Sequence, residues 1–92
     1  MRIDKYLKVS RIIKRRTVAS DACSGGRVMI NDKIAKPSSQ IRSGDVISIR
    51  FGEHTGHYEV VSIAETVSKD HASEMYRVLD ENTFLSEERR KL

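Results

Sequence analysis

Tryptophan is absent from this chain, proline and cysteine each occur once, and the aromatics amount to three tyrosines and two phenylalanines. Each scarcity removes a class of function. The lone Cys23 leaves no internal disulfide and no CxxC pair, which argues against a disulfide-stapled scaffold and against the usual zinc spacings. With no histidine near it in sequence, Cys23 reads as a small buried hydrophobe. His54 and His57 stand three apart in a glycine-bearing loop and His71 is distant, so all three read as exposed histidines and no metal site is expected. No apolar run approaches the roughly 18 residues that a membrane span requires. The first residues run straight into alternating charge without an apolar stretch, so no signal peptide is expected and the chain is assigned to the cytoplasm.

Catalytic signatures are equally thin. Asp4, Asp32 and Asp45 are scattered over turns and helix starts, where carboxylates usually cap or pair, and nothing suggests a pair for acid and base work. Gly25-Gly26 lacks the GxGxxG and GxxxxGK[ST] spacings that cradle nucleotide phosphates, so no cofactor is expected. The chain reads as a binding protein, not an enzyme. At 92 residues, 38% of them hydrophobic and 33% charged, it has room for one core and one domain.

What is present is positive charge, unevenly spread. Residues 1–50 carry twelve Lys and Arg against four Asp and Glu, an excess of eight positive charges. Residues 51–92 carry five against nine, an excess of four negative charges. Such asymmetry gives a protein one defined face for a polyanion, whereas uniform charge would bind in any orientation. An anionic membrane is the competing partner, but these basic segments are too short to form the long amphipathic helix that would need.

The periodicity predicts an α+β fold, two short helices packed on a small antiparallel sheet of four to five strands. Ile3 and Leu7, four apart with Tyr6 beside them, predict a helix over 3–9 that ends near Ser10. A second helix is expected from Arg15 or Arg16 to Ser24, burying Val18, Ala19, Ala22 and Cys23 and stopped by Gly25-Gly26. The period then changes. Val28–Ile30 and Lys33–Lys36 read as a hairpin about Asn31-Asp32, and Val46–Phe51 as a strand. After a loop over Gly52–Gly56, Tyr58–Ile63 returns antiparallel. Ser68 starts a short helix through Met75, Tyr76–Leu79 closes the sheet, and a polar tail follows. The expected organisation is therefore a basic, helix-bearing part over 1–52, a sheet-completing extension over 53–80 and a tail over 81–92.

Four of the six residues from Arg11 to Arg16 are cationic, interrupted by Ile12-Ile13. The isoleucines need a core and the charges need water or anions, so this run is a held surface. Lys14, Arg15 and Arg16 fall at the start of the second helix, where free N–H groups already favour phosphate. Arg2, Arg11, Lys14, Arg15, Arg16 and Arg27 are the expected phosphate contacts, with Lys5 and Lys8 in second rank. Asp4 is expected to orient Arg2 or another cation, or to accept a hydrogen bond from ribose. Clustering at helix starts and turns suits the backbone of folded RNA better than a DNA major groove. The sparse aromatics argue against a single-strand stacking platform.

Arg2-Ile3-Asp4-Lys5-Tyr6-Leu7, Ser10-Arg11, Arg16-Thr17-Val18-Ala19, Gly26-Arg27-Val28-Met29-Ile30-Asn31, Lys36-Pro37-Ser38 and Gly44-Asp45-Val46-Ile47 together resemble the S-four RNA-binding domain, or alpha-L motif, over roughly residues 1–52. The resemblance implies an RNA face on the two helices and the turn between them, with Arg2, Asp4, Lys5, Ser10, Arg11, Arg16, Thr17 and Asn31 at the family's positions. Arg15 departs from it, since many relatives place a small hydroxyl residue there. A version without a catalytic neighbour resembles the ribosome quality-control factors of this family and, more distantly, its longer ribosome-associated heat-shock proteins. That implies binding to large-subunit rRNA and peptidyl-tRNA on the obstructed large ribosomal subunit, in support of an alanine-tailing partner, by a protein that is monomeric when free. A ribosome-assembly or structural rRNA-binding role is the alternative.

Overall fold

The computed structural model describes residues 1–79; the tail expected over 81–92 lies outside them. Helices α1 (Ile3–Val9) and α2 (Arg16–Ser24) precede β1 (Val28–Ile30), β2 (Lys33–Ile34), β3 (Val46–Phe51) and β4 (His54–Val60); a 3-10 turn (Ala72–Met75) leads into β5 (Tyr76–Leu79). The strands form one antiparallel sheet in the order β2-β1-β3-β4-β5. The expected α+β architecture of two short helices and a small antiparallel sheet is what the chain adopts.

Helix α1 is amphipathic in the simplest way: Ile3, Tyr6 and Leu7, at i, i+3 and i+4, are fully buried. They join Ala19, Ala22 and Cys23 of α2, Ile13 of the connector, and Val28, Ile47, Ile49 and Val60 of the sheet in one core. The face of α2 that meets this core is made of three small residues. That stripe is narrower than expected, because Val18, predicted to be buried, is 48% exposed. One residue rotates a helix by about 100°, enough to carry the valine off the Ala19-Ala22-Cys23 line. At the far side of the core the Tyr6 hydroxyl donates to the Met75 carbonyl at 2.8 Å, fixing α1 to the segment that enters β5.

Turns set the strand boundaries. Asn31 and Asp32 both have positive φ, 50° and 69°, as a two-residue hairpin turn of the type I′ class requires. The Asn31 side chain then accepts from the Val46 N–H and donates to Asp45, locking this turn to the one before β3. Glycine at Gly52, with φ +60°, permits an equally tight turn between β3 and β4, and Phe51 pairs directly with His54. The predicted loop over Gly52–Gly56 therefore shrinks, and the returning strand runs His54–Val60 in place of Tyr58–Ile63. His54 and His57 belong to that strand, and His57 Nδ1 lies 2.9 Å from the buried Ser48 hydroxyl. The helix expected from Ser68 is only the 3-10 turn, and β2 ends at Ile34 although Ala35 still donates to the Val28 carbonyl.

Burial pushes the Cys23 thiol up to about 11, with the Asp4 carboxylate adding to the effect, and burial likewise holds the Tyr6 phenol well above its ordinary value. A group whose folded value is raised stabilises the fold fully below its ordinary value and loses that contribution as pH rises through the folded one. For Cys23 the window runs from the ordinary 9.0 to about 11. Urea stability should accordingly fall over this alkaline interval. At pH 8, where thiolate carries the reaction, iodoacetamide should modify native Cys23 about a hundred-fold more slowly than the urea-unfolded chain. Equal rates would show an open thiol.

Candidate nucleic-acid interface

The candidate face is built around a buried carboxylate. The Asp4 side chain is 4% exposed, while Arg2 and Arg16, which it holds, are 47% and 48% exposed. Arg2 meets it through two parallel contacts, Nε to Oδ1 at 3.2 Å and Nη2 to Oδ2 at 3.1 Å. Arg16 Nη2 reaches Oδ1 at 3.5 Å, and the Lys5 N–H donates to the same oxygen at 2.8 Å. One acid thus positions two guanidinium groups from residues fourteen apart, one before α1 and one opening α2. The sequence-based expectation that Asp4 orients Arg2 or another basic partner describes this arrangement.

Local backbone structure explains how the remaining cations are presented. Helix α2 ends in a complete Schellman motif: the Gly26 N–H donates to the Cys23 carbonyl and the Arg27 N–H to the Ala22 carbonyl, with Gly26 at φ +73°. Helix α1 ends in a similar way, the Arg11 N–H donating to the Lys8 carbonyl and the Ile13 N–H to the Leu7 carbonyl. Here the left-handed residue is Arg11, at φ 65°. A side chain at such a position costs about 1 kcal/mol relative to glycine. The chain accepts that cost and gains an exposed cation where the connector turns. Arg11→Gly should therefore raise unfolding stability by about 1 kcal/mol while weakening RNA binding, and Arg11→Ala should weaken binding without the gain. A glycine variant no more stable than the alanine one would show that the conformation carries no strain.

Lys8, Arg11 and Lys14 line one cleft of about 270 Å³, whose opposite wall is Glu65, Thr66 and Val67. Ile13 is buried and Ile12 packs against the core, so the connector is held as its pattern predicts. Lys5 is ion-paired with Glu65, whose carboxyl is lowered by the hydrogen bond and charge of that lysine. Among the described residues, Lys8, Arg11, Lys14 and Arg15 carry no ion pair. Arg15 takes the N-cap position of α2 without a capping side-chain bond, leaving the first amides of the helix uncapped by it.

The other sequence candidates fall elsewhere. Thr17 is exposed in the first turn of α2. Ser10, proposed as an RNA contact, is 1% exposed, and its hydroxyl lies 3.3 Å from the Leu7 carbonyl; it finishes α1 and does not reach the surface. Arg27 is exposed but lies beyond the C-terminal end of α2, at the opposite end of that helix from Arg16. Sequence reasoning missed the 65–67 wall, because an acidic residue sixty positions from Lys5 gives no local signal. Among the described residues no group of three or more His, Cys, Asp or Glu is placed to hold a metal ion, and no helix is long and apolar enough to cross a membrane.

Residues 1–47 match the S4 domain. A protein of Halalkalibacterium halodurans named RQC P-site tRNA stabilizing factor is 43% identical over 88 residues, 96% of this chain and all of that protein. Its namesake in Bacillus subtilis is 44% identical over 81 residues, covering 88% of this chain and 94% of the relative. Among solved structures, Heat Shock Protein 15 of Vibrio cholerae, described as trimeric, superposes with a TM-score of 0.79 at 28% identity, covering 98% of this chain and 91% of that one. The S4 match ends inside β3, and the longer matches carry the likeness on through β4 and β5. By the matched domain and by relatives similar over nearly their full length, the chain belongs to the S4-domain family and, within it, to the family of the RQC P-site tRNA stabilizing factors.

Proposed function

We propose that the chain is a non-catalytic RNA-binding factor of cytoplasmic ribosome quality control. It binds the large ribosomal subunit that still carries peptidyl-tRNA, contacts large-subunit rRNA and the tRNA, and supports alanine tailing of the stalled nascent chain by a partner protein. The observation that carries the reading is the Asp4 arrangement: two arginines held by one buried acid, beside a cleft of three further cations, make a fixed surface for phosphates. The relatives' name, which specifies P-site tRNA, supports placing that surface on the ribosome.

Arg2 and Arg16 use only part of their donors on Asp4, which leaves N–H groups for phosphate oxygens. Lys8, Arg11, Lys14 and Arg15, which carry no ion pair among the described residues, supply charge that need not first be released. Thr17 and the open N-terminus of α2 lie on the same helix start as Arg16. The factor positions itself by backbone contacts, without reading a long sequence, and it is monomeric when free.

Pull-down of the tagged chain from cells with stalled ribosomes, followed by sucrose-gradient separation, tests this. Enrichment on free large subunits with peptidyl-tRNA is the expected result. Exclusive recovery with small subunits or with translating ribosomes would overturn it, and recovery with assembling subunits would favour an assembly role.

A further inference from the structure

A second cleft, of about 510 Å³, opens between the end of α2 and the β2 hairpin, lined among others by Arg2, Cys23, Ile34, Ala35, Lys36 and Pro37. Its volume is that of a small-ligand site, about 300–1,000 Å³. We propose that this cleft holds one unpaired base of a folded RNA, stacked on the Arg2 guanidinium and seated against Ile34, Ala35 and Pro37. The inference rests on the RNA-binding reading above and adds a base-recognition site to its phosphate face.

Three observations carry it. First, Arg2 is gripped along one edge by both oxygens of a buried carboxylate, so its plane is fixed and its flat face can meet a base while its remaining N–H groups stay available to phosphate. A guanidinium plane is among the platforms on which splayed RNA bases stack. Second, the rest of the cleft is apolar where a base needs it to be. Ile34 is 71% exposed on an edge strand of two residues, the most exposed of the large hydrophobic side chains in the described residues, and an uncovered apolar group at a sheet edge is a liability unless something covers it. Third, the charge is of one sign: among the described residues Arg2 and Lys36 line the cleft and no carboxylate does. Lys36 is placed to meet the phosphate of the nucleotide whose base is inserted. A protein segment would gain little from so small an apolar floor between two cations, whereas a nucleotide matches both parts.

The full chain, with Ile34→Ser and Arg2→Lys beside it, should be titrated against RNA hairpins that carry 2-aminopurine or an abasic residue at successive loop positions, and against a fully paired duplex. One loop position should report a change in 2-aminopurine fluorescence, and an abasic residue there should weaken binding about ten-fold. Ile34→Ser, whose exposed side chain is not needed for folding, should weaken binding to the intact loop and add nothing on the abasic hairpin, with duplex affinity unchanged. Arg2→Lys keeps the charge and loses the plane, so it should lower loop affinity without changing the salt slope. Equal binding of hairpin and duplex, with the abasic residue and Ile34→Ser both neutral, would remove the base site and leave the phosphate face standing. No binding to either RNA would overturn both.

Discussion

Asp4→Asn is expected to weaken RNA binding about ten-fold, although it removes a negative charge from a face meant for a polyanion. The two possible roles of Asp4 give opposite signs. If its charge acted only through space, deleting it would strengthen attraction to phosphate. Its geometry says that it acts through contacts. Oδ1 and Oδ2 together take the Nε and Nη2 edge of Arg2, and Oδ1 also takes Arg16 and the Lys5 N–H. Asparagine keeps one acceptor oxygen and turns an NH2 toward a guanidinium, so the two-oxygen grip on Arg2 is lost and the charge that draws both arginines in goes with it. The freed arginines are half exposed and regain water, which limits the stability loss to about 1–2 kcal/mol. Because every cation remains, the slope of log affinity against log salt should not change. Fluorescence anisotropy at several salt concentrations separates these effects, and tighter binding by the variant would refute the positioning role.

Tyr6→Ala should cost about 4 kcal/mol, a large part of the roughly 5–15 kcal/mol available to a small domain. Tyr6 is fully buried at the centre of α1, and its hydroxyl satisfies the Met75 carbonyl. Alanine would open a cavity between α1 and the sheet and leave that carbonyl unpaired. Tyr6→Phe isolates the second part and should cost about 1–2 kcal/mol. Urea unfolding of the pair checks both figures. A phenylalanine variant as stable as the parent would mean that the bond across the core contributes nothing.

The helices were legible in the sequence because their signals are local. Ile3, Tyr6 and Leu7 repeat at helical spacing, and Gly25-Gly26 supplies the left-handed residue at the end of α2. The Asn31-Asp32 turn was legible for the same reason. The β3–β4 boundary was misplaced because Gly52 alone completes a two-residue turn, and histidines in a polar stretch do not announce a strand that is half exposed. At the candidate interface, the cationic residues were visible as a run, but their organisation was not. That Ser10 turns inward, and that Glu65 returns to Lys5, depend on chain separations over which sequence patterns carry no information.

The bond from Tyr6 to Met75 spans sixty-nine residues, and Ile41 donates to the carbonyl of Met1. Helix α1 is therefore tied down by a segment made long after it. During synthesis α1 leaves the ribosome with Ile3, Tyr6 and Leu7 lacking the strands that will cover them, and β5 closes the sheet only after Leu79 has followed. Residues 1–47 share their core with Val60 and Met75, so a nascent chain cut short within β3 holds the binding residues without the fold that aims them. The strands that fix the orientation of these cations thus come largely from the second half of the chain.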